Sequence, residues 1–237
     1  MKISIIGCGA LGSALALNYS SNKKYVSIWN RKKITKQQLL KKSSILSQES
    51  LFENCLEYLD VNNSIEDVVK DSNVVLICIK AQSVHEFFKN YYSLLFRYPI
   101  VFCSKGIDTK TLLFQTQIGE KFIKNKNFAV LTGPGFATDI LTKKPIALTL
   151  ACKNKELGNV LQNLLSTPSI RPYLSSDIIG AQVGGSLKNV IAIACGIADA
   201  KSLGDSARVA VMTRGFTEIR NIGLALGCNP ETLVGLS

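Results

Sequence analysis

Apolar positions fall in two patterns along this chain. Short, largely apolar runs recur at Met1 to Ile6, Tyr25-Val26-Ser27-Ile28-Trp29, Val74-Val75-Leu76-Ile77-Cys78-Ile79, Ile100-Val101-Phe102-Cys103 and Phe128 to Thr132. Runs of this length, rich in Ile and Val, predict strands buried on both faces, as in a parallel sheet. Between them the spacing is helical, first at Ala14, Leu15 and Leu17 and later around Phe87, Phe88 and Tyr91. Leu59 to Val61 reads as a short third strand, and Ser64-Ile65-Glu66-Asp67 opens a helix with a capping hydroxyl and two acids at its positive end. Residues 34 to 50 are polar and lysine-rich with Leu39 and Leu40 among them, predicting a surface helix and then an irregular stretch. Pro145 to Ala151, a helix near Glu156 to Leu165, and Ile170 to Leu174 close a terminal strand-helix-strand unit. The alternation predicts an α/β fold over residues 1–175, a Rossmann-type, mostly parallel sheet with helices on both faces.

At Ser175-Ser176-Asp177 the pattern changes. Cap residues open one long helix from Ile178 to about Asp199, apolar and rich in small residues, and residues 176–237 read as a helical domain. Glycine costs about 1 kcal/mol in a helix interior, so Gly180, Gly184 and Gly185 predict close approach to a neighbour.

The chemistry begins at the first strand. Gly7-Cys8-Gly9-Ala10-Leu11-Gly12 is a Gly-x-Gly-x-x-Gly turn between strand and helix, the arrangement that sets a pyrophosphate on a helix N-terminus. At the end of the second strand stands Asn30-Arg31-Lys32-Lys33, with no carboxylate between Gly12 and Glu49. NAD sites place an acid near this position for the ribose 2′-hydroxyl; Arg31 with Lys32 or Lys33 suits the 2′-phosphate of NADP instead. Lys80-Ala81-Gln82, Ser104-Lys105-Gly106 and Gly133-Pro134-Gly135-Phe136-Ala137 follow later strands, at the edge where open α/β sheets bind ligands. Lys188, among apolar residues of the long helix, is a candidate for a partly desolvated ammonium able to exchange a proton. His85, amid Phe87, Phe88 and Tyr91, reads as a packed side chain rather than a general base.

Composition narrows the function class. The seven cysteines form no Cys-x-x-Cys pair, and lone His85 completes no metal site with them, so no metal is expected and the thiols read as reduced, in a cytoplasmic protein. No run reaches the roughly 18 apolar residues of a membrane span. A net charge of +11 suits an anionic partner, but the lysines are scattered and no nucleic-acid motif accompanies them. A small phosphorylated ligand is the expected partner.

In combination and order, the glycine turn at 7–12, Ser104-Lys105-Gly106, Gly133 to Ala137, the run from Gly180 to Ile193 around Lys188-Asn189, and Thr213-Arg214-Gly215 resemble the bacterial NAD(P)-dependent glycerol-3-phosphate dehydrogenases. The resemblance covers nearly the whole chain. It implies reduction of dihydroxyacetone phosphate to glycerol 3-phosphate with NADPH, or NAD, for glycerophospholipid synthesis. It makes Lys188 the proton-exchanging and substrate-binding residue, and Lys105 a contact to both cofactor and substrate. Gly133 and Gly135 then line the substrate, and Gly7, Gly9, Ala10, Leu11, Gly12, Arg31, Lys32 and Ala137 the cofactor. The family carries Ser and an aromatic where Ala10-Leu11 stand, and Ser or Thr at Gly135. It also continues beyond Ser237 into a Gly-Leu-Gly-Asp segment and an Arg-Asn pair that holds the substrate phosphate. Residues 176–237 are on that comparison a partial helical domain, expected to expose apolar surface and to bind a second copy or a complementing chain. The alternative function is a catalytically impaired NADP-binding remnant, or one part of a split enzyme.

Overall fold

A computed structural model describes residues 1–44, 55–124 and 127–234. The irregular stretch expected around 45–50 and the last residues, 235–237, lie outside them. Strands β1 (Lys2–Ile6), β2 (Tyr25–Trp29), β3 (Leu59–Val61), β4 (Val74–Ile77), β5 (Ile100–Phe102), β6 (Phe128–Thr132), β7 (Ile146–Cys152) and β8 (Ile170–Ser175) form one sheet in the order β3-β2-β1-β4-β5-β6-β7-β8. Neighbours are parallel except β6 and β7, which run antiparallel. The apolar runs therefore became strands, and the strand order reverses between β3 and β4, placing a switch point between β1 and β4.

Helices cover both faces. On one lie α1 (Ala10–Ser21), α2 (Lys36–Ser44), α6 (Ala137–Leu141) and α7 (Lys155–Leu165); on the other lie α3 (Ile65–Val69), α4 (Val84–Leu95) and α5 (Gln115–Phe122). The expected cap at Ser64 is present, its Oγ accepting from the Asp67 amide, and α7 is capped likewise by Asn154, whose Oδ1 accepts from the Leu157 amide. α2 is less superficial than its lysines suggested, because Leu39 is fully buried in the core against α1.

After β8 come three helices, α8 (Ile178–Ala200), α9 (Asp205–Ala225) and α10 (Pro230–Val234). Asp177 caps α8, its Oδ1 accepting from the Gly180 amide and its Oδ2 from that of Asn229 at the start of α10. The first half of α8, Gly180 to Gly185, is buried against the end of the sheet, whereas Val190, Ile193 and Ile197 stand more than half exposed, as do Val209 and Met212 of α9. By length and a mean hydropathy of 1.4, α8 qualifies as a membrane-crossing helix, which the count of unbroken apolar residues did not anticipate. Its polar Gln182, Lys188 and Asn189 interrupt the apolar run. Within the fold, Gln182 and Lys188 bond to groups on the Rossmann-type half.

Candidate active site

The glycine turn owes its shape to backbone crowding. Gly7 has φ +111, and a Cβ there would meet Cys78 O at 2.8 Å; a Cβ on Gly12 would meet Gly7 O at 2.0 Å. Both positions thus require glycine for α1 to start this close to β1. A Cβ on Gly9, in contrast, would meet nothing within 4 Å. Gly9 precedes α1 with no side-chain cap, so the first amides of a twelve-residue helix face open space. That is a cradle for an anion, and it suits the pyrophosphate of a dinucleotide.

Open space continues from this turn as a cleft of about 370 Å³ lined by Gly7, Gly9 and Arg31 together with Trp29, Lys80 and Tyr91. Asn30 joins its parts, its Oδ1 accepting from the Cys8 amide at 3.3 Å and its Nδ2 donating to Lys32 O at 2.8 Å. Arg31 is exposed and lines the cleft; Lys32 is also exposed but does not line it. Ala10 is the exposed first residue of α1, and Leu11 packs partly onto the core beneath. The floor is apolar and uncharged: contact with Cys103, followed by burial, pushes the Cys78 thiol well up from its ordinary value.

The sequence reading missed the opposite wall. Ser83, Glu86, Phe87, Asn90 and Tyr91 at the start of α4 and along it all face the cleft. Their spacing of three and four residues is visible in the sequence, but the same spacing marks any face packed on a core. Glu86 brings a carboxylate to the cleft that Arg31 and Lys80 also line. His85 turns elsewhere, its ring edge-on to Phe122 at 5.3 Å.

The second half of the site lies at the carboxyl ends of β5 and β6, on the same sheet edge. Gly133 has φ +138, and a Cβ there would meet Leu148 Cα at 3.3 Å, so its carbonyl is held in a direction other residues rarely adopt. Two ammonium groups converge on that oxygen, Lys188 Nζ at 2.9 Å and Lys105 Nζ at 3.3 Å. Lys188 reaches it because α8 sits unusually low: a Cβ on Gly185 would fall 2.5 Å from Thr132 Oγ1. Burial first, and the Lys105 charge second, bring the Lys188 ammonium down to about 8, and burial also lowers that of Lys105. The expected desolvation is met in part by the helix itself: Val183 is buried and Leu187 partly so, whereas Val190 and Ile193 are exposed, and Lys188 is half-buried against the sheet edge. Gly135 and Ala137 lie on the loop and helix after Gly133, where a Cβ on Gly135 would meet Leu148 Cδ2 at 2.8 Å and Ala137 packs partly onto the core.

Comparison with known proteins identifies the family of this chain. Residues 2–158 match the family profile for the NAD-dependent glycerol-3-phosphate dehydrogenase N-terminus, and residues 177–237 that for its C-terminus. The glycerol-3-phosphate dehydrogenase [NAD(P)+] of Parvibaculum lavamentivorans is 36% identical over 100% of this chain and 71% of its own length. That of Zymomonas mobilis is 36% identical over 99% of this chain and 68% of its own. Among solved structures, glycerol-3-phosphate dehydrogenase from Coxiella burnetii superposes with a TM-score of 0.86 at 28% identity, covering 99% of this chain and 72% of that one. A pyrroline-5-carboxylate reductase from the same organism shares the fold at 12% identity and a TM-score of 0.54. The chain belongs to the NAD-dependent glycerol-3-phosphate dehydrogenase family.

Proposed function

We propose that this protein is an NAD(P)-dependent sn-glycerol-3-phosphate dehydrogenase that reduces dihydroxyacetone phosphate to glycerol 3-phosphate, a product that feeds glycerophospholipid synthesis. The observation that carries the reading is the convergence of Lys105 and Lys188 on Gly133 O. It lies on the sheet edge that also bears the glycine cradle. NADPH, when bound, supplies the hydride that adds to the ketone carbon. The residues of this chain do the rest. The amides at the start of α1 hold the pyrophosphate, and Arg31 at the rim attracts the 2′-phosphate. Lys105 offers positive charge to the substrate, and Lys188 delivers a proton to the oxygen as it becomes an alkoxide. An ammonium with a pKa of about 8 suits that task, being charged at neutral pH yet ready to release its proton.

The test is NADPH consumption with saturating dihydroxyacetone phosphate. Turnover on the order of 1 to 10³ per second is expected. Lys188→Ala should lower it by about 10² to 10⁴ while leaving NADPH affinity within reach of the parent. Because reduction uses the ammonium and oxidation the free amine, the reductive rate should fall, and the oxidative rate rise, as pH passes about 8. A parent chain that binds NADPH without turnover would replace this reading by the nucleotide-binding remnant.

A further inference from the structure

The loop that carries Lys105 is fastened to the helix that carries Lys188 through one side chain. The Gly106 amide donates to Ser186 Oγ at 3.0 Å, joining residues 80 positions apart. Elsewhere the loop is tied to the sheet and to α5: Ser104 Oγ donates to Ile79 O at 2.6 Å, and Gln115 Nε2 donates to Gly106 O at 2.9 Å. Gly106 has φ +134, and a Cβ there would meet Ala81 Cβ at 3.1 Å, so this backbone direction depends on glycine. Ser186 stands two residues before Lys188, and Gly106 one residue after Lys105. The contacts therefore close a ring: Lys105 to Gly106, across to Ser186, along α8 to Lys188, and from both ammonium groups to Gly133 O.

Such a ring needs a restraint. Two like charges on one oxygen repel, and a lysine on a flexible four-carbon stem swings away unless its backbone is pinned. We propose that Ser186 is a positioning residue for the reduction, its hydroxyl holding the Lys105 loop against α8 so that the Lys105 ammonium stays beside Lys188 over the Gly133 carbonyl. The proposal rests on the reading of Lys188 as proton donor. Its consequence is that the Lys105 charge keeps acting on Lys188. Of the elements packed on or bonded to α8, β6 and β7 carry no charged residue; α5 carries Glu120 and Lys121, α9 carries Asp205, Arg208, Arg214, Glu218 and Arg220, and α10 carries Glu231. The charged group that acts on Lys188 is Lys105.

The experiment compares the parent with Ser186→Ala and Ser186→Thr. Amide exchange at Gly106 is read by NMR, and kcat, KM and the pH profile with dihydroxyacetone phosphate and NADPH are measured alongside. In Ser186→Ala, Gly106 should exchange about tenfold faster or more, and kcat should fall about 10- to 100-fold with KM for NADPH near the parental value. The falling limb of the reductive pH profile should move to higher pH, as Lys188 escapes the neighbouring charge. Ser186→Thr, which keeps the hydroxyl, should restore all three. A parental kcat in Ser186→Ala overturns the proposal. So does a loss of kcat or thermal stability with an unmoved pH limb, which marks a merely structural bond. If the parent itself does not turn over, the functional reading falls, and the titration of ¹³C-methylated Lys188 by NMR decides the positioning role. An upward move in Ser186→Ala supports it, and an unmoved titration overturns it.

Discussion

Arg31 and Lys188 are the residues whose chemistry was most legible in the sequence, and the structure treats them differently. Arg31 was named for what is missing beside it, a carboxylate after the second strand, and it does border the cleft. Lys188 stands out for apolar neighbours on its own helix, of which Val183 is buried and Val190 exposed, but sequence proximity says nothing of the β6 end that meets it across the fold. Glu86 escaped notice because only folding brings α4 to the same cleft. Its carboxylate faces the same space as Arg31, so the cationic contribution is open to direct measurement. Arg31→Ala is expected to weaken NADPH by about 1.5 to 3 kcal/mol, the worth of a hydrogen bond to a charged group, and to leave NADH nearly unchanged. Fluorescence titration with both nucleotides checks this, and equal losses for the two would show that Arg31 does not read the 2′-phosphate.

At the scale of elements, the strands were the clearest part of the sequence, because a strand covered on both faces is an uninterrupted apolar run and needs no partner to be recognised. Strand direction was less accessible. β7 runs antiparallel to β6 although helix α6, which packs on α1, lies between them in the chain. The junction of β1 and α1 shows how tightly one element can be set by another. Gly12→Ala would thrust a methyl carbon to 2.0 Å from Gly7 O, a backbone oxygen, and a Cβ has no torsion by which to turn aside. Overpacking of this kind costs about 1 to 3 kcal/mol or somewhat more, well above the roughly 1 kcal/mol that alanine gains over glycine in a helix. The variant should therefore lose stability in urea and lose NADPH binding together, since the amides of the cradle move with the helix.

For the whole molecule, α1 is the piece on which distant parts converge. It is buried from Gly12 to Ser20, and its fully buried Asn18 donates through Nδ2 to Ile140 O at 3.3 Å and Ser169 Oγ at 3.0 Å, while Thr167 Oγ1 donates to Asn18 Oδ1. Lys24, just beyond the helix, closes the end of α7 by donating to Leu164 O and Ser166 O. Asn18→Ala strands several buried polar groups at once. It should lower the unfolding free energy by about 1 to 3 kcal/mol in a denaturant titration, without altering the proton chemistry of Lys188. None of these long-range partners could be foreseen, since a polar residue on an apolar helix names no address. The same convergence bears on how the protein is made. Asn18 waits for Ser169, 151 residues later in synthesis, which at about 5 to 20 residues per second is on the order of 10 to 30 s on the ribosome. Through that interval the nascent chain carries a helix that the finished fold buries along most of its length, with part of its cover not yet built, so the growing polypeptide should be a client for chaperones until β8 emerges.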